Sequence, residues 1–345
     1  MSFLKYFLSF GFNKSMRPFH KLLSLIILSI AIQSCNQTPT PGFWRNEQIP
    51  AGKRDDFHEL NKTLLADIKI DDEKHLAGSL AADLIDNQPI RHLIQQISTR
   101  LQYNDYTMLD EYYVVNKWKK VDTIINKNTG VNNYNLYYEP YAQEMYFAFL
   151  VPKTGYSSYM ITLIYAKLSY GWKLANLSLG PYSVNNKNAV QFYGLALKAS
   201  KEKHFSNAET FMELAHACQR PSFVWRYTAD SVMTSFYHQS IDDANHQFSL
   251  PVVVSDAQVK TQPRVFDVVN QKTDNGTYPM VYYQTVVKLS DINGLKKENE
   301  ALRKVIGKII PGIDKDNDCV LFEAYNKMPN RAVSVDRYRM EWKLK

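Results

Sequence analysis

Apolar and polar positions follow two different periods along this chain, and the change of period organises it. Between positions 56 and 104 the apolar residues recur at helical spacing, as Phe57, Leu60, Leu64, Leu65 and Ile68, then Leu76, Leu80, Leu84 and Ile85. Asn87-Gln88-Pro89 interrupts this run, and the pattern resumes through Ile97, because proline is tolerated in the first turn of a helix. Tyr106 to Val115 fits a helix or a strand. Further on, the period falls to two. Tyr134–Tyr138, Glu144–Val151, Tyr159–Ala166 and Trp172–Leu179 are dense in aromatic and β-branched residues, with turn residues at 152–155 and 169–171. Connections this short force antiparallel pairing, since a parallel partner needs a long crossover. The pattern predicts a four-stranded meander.

The helical period then returns. Phe192, Leu195, Ala196, Ala199, Phe205, Ala208, Met212 and Ala215 predict a helical hairpin ending before Pro221 and extended by Phe223 to His238. Beyond it, Val252–Ser255, Arg264–Val269 and Pro279–Leu289 are strand-like, with a turn at Asp274-Asn275-Gly276. Leu295, Leu302, Val305, Ile306, Ile309 and Ile310 line one face of a helix stopped at Pro311-Gly312. The last strand alternates: Tyr338, Met340, Trp342 and Leu344 inward, Arg337, Arg339, Glu341 and Lys343 outward. The expected class is α+β, with two modules of curved antiparallel sheets and covering helices, joined by the hairpin. The expected segments are 1–34 (signal peptide), 35–55 (tether), 56–185 (first α+β domain), 186–246 (hairpin) and 247–345 (second α+β domain).

Residues, order and spacing carry several resemblances. Lys14, Arg17 and Lys21 precede an apolar run, Leu22–Ile32, too short to span a bilayer and of signal length. It ends in Ile32-Gln33-Ser34-Cys35, which resembles the lipobox of bacterial lipoproteins. That resemblance implies that Cys35 is acylated and becomes the first residue of the mature chain. Asn36 to Gly42, polar and proline-bearing, reads as a tether. No acidic residue follows Cys35 before Glu47, which favours a periplasm-facing membrane leaflet over the cell surface. Helices followed by a curved meander resemble the cone of the nuclear-transport-factor-like and cystatin-like superfold, and the hairpin resembles a lone tetratricopeptide repeat. The stretch around Trp172-Lys173-Leu174 and Leu295–Glu300 resembles Bacteroidetes-type lipoproteins of unassigned role, which implies location and no mechanism.

Charge narrows the partners. The formal charge is +7, but the four basic residues ahead of Cys35 account for four of these and leave +3. With no basic stripe beyond the short run Lys117–Lys120, nucleic acid is not an expected partner. Cys218 falls on a helical pattern and Cys319 at a strand edge, and they read as two buried free thiols rather than a disulfide.

Candidate chemistry is sparse. Asp314, Asp316 and Asp318 alternate as in a calcium loop, but Cys319 and Tyr325 stand where such a loop needs glycine and glutamate. His238, Asp242 and His246 repeat every four residues, and the outer pair is about 12 Å apart along a helix, too far to share an ion. Glu213 and His216 form a lone Glu-x-x-His. No metal or cofactor is expected. The leading expectation is a membrane-tethered, non-enzymatic binding module with a protein or glycan partner. An enzymatic alternative would place Glu144 or His92 in a cone-shaped cavity. A carbohydrate-binding alternative would use the 23 tyrosines, with Tyr137, Tyr146, Tyr165 and Trp172 as a stacking platform and Tyr134, Tyr138 and Tyr141 nearby.

One test follows for the anchor. Cys35→Ser should leave an uncleaved or soluble form with intact folded domains, read by membrane fractionation and the mobility of the processed band. Processing at the same bond with unchanged detergent partitioning would contradict the lipoprotein assignment.

Overall fold

The computed structural model describes residues 39–70, 73–85, 87–117, 120–126, 133–247, 250–329 and 334–344. The signal segment and Cys35 lie outside them. The folded unit runs from Phe43 to Lys345, so it begins earlier than the expected tether end at Asp55. A short strand β1 (Gly42–Arg45) and a single 3₁₀ turn (Asn46–Gln48) lead into helix α1 (Ala51–Ile70). Trp44 stacks on Tyr113 and Ile49 is buried, so this leading segment is held by its own apolar residues.

Helices α2 (Glu73–Ser79), α3 (Ala82–Ile85) and α4 (Gln88–Tyr103) follow. Asn87 caps α4 by accepting from the Ile90 amide, and Pro89 sits in the first turn, where a missing N–H costs nothing. Tyr106–Val115, ambiguous by period, is strand β2. It pairs antiparallel with β5 (Glu144–Pro152), which pairs with β6 (Ser158–Leu168), which pairs with β7 (Gly171–Ser183). With β1 they form a sheet of order β1-β2-β5-β6-β7.

Strand β5 shows why this sheet is central. Its residues from Glu144 to Leu150 are all buried, unlike the alternation of a strand with one wet face. Met145, Phe147 and Phe149 join one core, while Tyr146, Ala148 and Leu150 join another. The second core lies under α1 to α4, with Phe57, Leu64, Ile68, Leu76, Leu80, Ile94 and Ile97. Each fully buried side chain of this size stabilises the fold by about 1.5–3 kcal/mol relative to exposure.

The opposite face is covered by a layer the periodicity did not separate. Tyr134–Tyr138, expected as the first meander strand, is β4 of a three-stranded sheet, between β3 (Asp122–Ile125) and β8 (Trp225–Tyr227). Trp225–Tyr227 lies within the expected helical extension of the hairpin and is extended instead. Trp225, fully buried, stacks on Tyr134, so packing overrides local helical spacing here. The hairpin itself is as expected: α5 (Ala189–Lys201) and α6 (Phe205–Ala217), then α7 (Asp230–Gln247). Gly180 on β7 lies against the backbone of Pro221, where a Cβ would collide, so the segment after α6 packs closely on this strand.

The C-terminal sheet has order β13-β12-β11-β10-β9, from β9 (Val252–Val253), β10 (Arg264–Thr273), β11 (Gly276–Gln284), β12 (Cys319–Tyr325) and β13 (Arg337–Lys343). Helix α8 (Ile292–Ile309) makes the crossover that β11 and β12 need to pair in parallel. The alternation expected for the last strand holds, since Tyr338, Met340, Trp342 and Leu344 pack with α8. Cys218 and Cys319 are free and buried. The class is α+β, and among the described residues no helix is long and apolar enough to cross a membrane.

Candidate functional site

Two acidic residues interrupt the apolar run of β2, and strand geometry sends consecutive side chains to opposite faces. Asp110 therefore enters one core and Glu111 the other, and both are almost fully buried. A buried carboxylate is tolerated only when paired and hydrogen-bonded. The leading segment and α1 supply the partners. Arg45 grips Asp110 with a fork, Nη2 lying 2.7 Å from both oxygens and Nε 2.9 Å from Oδ1. Tyr134 donates to Asp110 at 2.6 Å. Arg54 Nε donates to Glu111 at 2.6 Å, Tyr146 donates at 2.7 Å, and His58 Nε2 lies 3.0 Å from both oxygens. Asn46 joins the two positions, its amide donating to Asp110 while its carbonyl accepts from the Glu111 N–H. Its left-handed backbone, φ 50°, is one that asparagine tolerates better than most residues.

Glu144, a candidate catalytic carboxylate in the sequence, closes this row at the start of β5. Lys167 donates to it at 2.7 Å and Lys53 at 3.3 Å, with Tyr113 on Oε2. Burial alone would raise its pKa. Hydrogen bonds from Lys167 and Tyr113 and the charge of Lys53 outweigh burial and hold the carboxyl below the usual glutamate value. A general acid at neutral pH needs the opposite shift. Glu144 is an ion-pair centre.

The four aromatic candidates do not form one surface. Tyr146 is buried, stacked on Phe57 at 4.1 Å. Tyr165 is buried as well, and its hydroxyl has no hydrogen-bond partner. Tyr137 is 45 % exposed but belongs to the separate three-stranded sheet. Trp172, half-buried and edge-on to Phe57, shares with Tyr165 a groove of about 470 Å³ also lined by Asp56, Glu59, Thr63 and Ser79. Of these four, Tyr146 alone gives its hydroxyl to a buried carboxylate, Glu111.

His92 stands exposed on α4, at the rim of a larger groove of about 570 Å³ between α2, α3 and α4. Its floor is Leu76, Leu80, Ile85 and Ile94, and Lys74, Arg91 and His92 stand around it. Both its volume and its apolar floor match those of small-molecule pockets.

Several of the side chains considered for metal binding have partners within the fold, and Glu202, His204 and Asp316 bring ligand atoms within 4.8 Å of one another. His204 Nδ1 lies 2.7 Å from Asp316, which also accepts from Asn207 at 2.8 Å. This contact docks the turn before β12 onto the N-terminus of α6, with Glu202 beside it. His246 bonds the Asp242 backbone, and His216 stacks on Tyr237. In the seam between α6 and β10, burial with Glu213 and Asp267 nearby pushes Glu209 up to about 7, and Asn270 donates to Glu213 at 2.6 Å. Sequence reasoning points to Glu144 and His92 but misses Arg45, Arg54, His58, Asp110 and Glu111. The available signal is the Asp-Glu pair inside an apolar strand. No family model, no curated protein and no solved structure matches the chain.

The lowered Glu144 pKa makes a prediction with a definite sign. A depressed carboxylate stabilises the fold above its unfolded value of 4.5 and loses that contribution as pH falls through the lower folded value. The melting temperature of the native chain should therefore fall below pH 4.5 more steeply than that of Glu144→Gln. Parallel curves from pH 3 to 7 would refute this role.

Proposed function

We propose that the chain is a lipid-anchored cell-envelope protein, facing the periplasm, whose folded unit is a non-enzymatic binding module. The lipobox-like Ile32-Gln33-Ser34-Cys35 supports the anchor. The observation that carries the binding reading is the groove between α2, α3 and α4, where Leu76, Leu80, Ile85 and Ile94 form an apolar floor under an open mouth. A concave groove with an apolar floor and a few polar groups at its mouth is the usual form of a small-ligand seat. Helices α1 to α4 cover one face of the meander, and Phe57 of α1 stacks on Tyr146 of β5 between the two layers. That packing favours a binding seat outside the two layers over an enzyme site between them.

A second reading, glycan binding, rests on the neighbouring groove at Trp172. Its indole and the acceptors Asp56 and Glu59 suit a ligand that presents both C–H faces and hydroxyls.

The groove reading is tested with a neutral apolar fluorophore, N-phenyl-1-naphthylamine, on a chain beginning at Asn36, which carries the whole compact unit. Saturable binding should be lost by at least tenfold in Ile85→Glu and kept in Trp172→Ala. Ile85 is half-buried, so a glutamate there can reach water without unfolding α3. Unchanged binding by Ile85→Glu with an unchanged melting temperature would remove this groove as the seat.

A further inference from the structure

The rim of this groove has a sign. Lys74, Arg91 and His92 line it, and among the described residues no carboxylate does. All three are exposed, so their charged or polar ends meet solvent at the mouth while the floor beneath is hydrocarbon. An apolar seat under a basic rim selects a molecule with one apolar tail and one anionic head. We infer that the groove binds the anion of a single-chain fatty acid, its carboxylate at Arg91 and Lys74 and its tail along Leu80 and Ile85.

This rests on the groove being the binding seat, and it adds the ligand class. Three considerations carry it. Arginine presents a planar fork of N–H donors that matches a carboxylate with two parallel hydrogen bonds, which a lone ammonium cannot do. Charge complementarity excludes a cationic amphiphile, which would bring like charge to the rim. The groove, at about 570 Å³, is of a size for one small ligand rather than for a two-chain phospholipid. The acyl tail supplies affinity through burial, and the rim supplies orientation and sign.

The test is displacement of N-phenyl-1-naphthylamine from the chain beginning at Asn36, each competitor being used below its micelle concentration. Laurate should displace the probe at a concentration at least tenfold lower than dodecyltrimethylammonium, with dodecanol between them. Shortening laurate to decanoate should weaken displacement by about two- to fourfold per methylene removed. The double variant Lys74→Gln/Arg91→Gln, which keeps most of each apolar stem, should weaken laurate at least tenfold and the neutral probe by much less. Equal displacement by anion and cation, with probe binding still sensitive to Ile85→Glu, would overturn the ligand class and keep the seat. Insensitivity of the probe to Ile85→Glu would overturn the seat itself. Displacement by phosphatidylglycerol vesicles and not by monomeric laurate would overturn the fatty-acid assignment in favour of a membrane contact.

Discussion

The pairing of Asp110 and Glu111 with Arg45 and Arg54 is the constraint on which the first half of the molecule depends. From Asp110 onward strand β2 runs between two cores, so these two carboxylates are almost fully buried and depend on partners from the protein. Removing one partner of a buried ion pair costs about 3–5 kcal/mol, because the remaining charge stays in a medium of low dielectric constant. The half-open guanidinium of Arg54 and the exposed ring of His58 soften that figure for Glu111. The fold meets the cost by bringing cations from one short stretch. Arg45, Asn46, Arg54 and His58 all come from β1, the following turn and the first turns of α1. The carboxylates thereby fix where the chain joins the sheet and which face α1 covers. Once α1 is placed, α2 to α4 pack beside it, and the groove between them follows.

Much of this is legible in the sequence. The continuous apolar run of β5 marks a strand buried on both faces, and Asn87 with Pro89 marks the start of α4. The hairpin α5–α6, the helix α8 and the alternation of β13 follow directly from their periods. Other elements escape for physical reasons. Tyr134–Tyr138 has the composition of a meander strand, but its partners, Asp122–Ile125 and Trp225–Tyr227, are separated from it in sequence and show themselves only through packing. Trp225 sits in a stretch of helical spacing and becomes extended because it fills the space beside Tyr134 and Phe149. The segment Phe43–Asp55 looks polar on average, yet Trp44, Arg45 and Ile49 each have a buried partner.

The candidate site is legible in a different way. Leu76 and Ile85 read correctly as helical, whereas Leu80, expected in the same run, breaks it and bridges to Leu174 of β7. Helical spacing also does not tell a filled face from an open one. His92 reads as a base, whereas its surroundings, Arg91 and Lys74, form a basic rim. The tyrosines mislead similarly. Their number suggests a recognition surface, and the fold uses Tyr113, Tyr134 and Tyr146 as buried donors to Glu144, Asp110 and Glu111. Neutral phenols suit such positions because they satisfy a carboxylate without adding charge, and burial beside that carboxylate raises their own pKa.

The central claim is that the buried carboxylates hold α1 on the sheet. Native-state hydrogen exchange on Glu111→Gln measures this most directly, because it reads the opening of each helix separately. The account predicts that α1 amides from Phe57 to Ile68 exchange at least tenfold faster than in the native chain, while α8 and the β10–β13 strands keep their protection. Unchanged α1 exchange would contradict it, as would loss of protection spread evenly over both sheets.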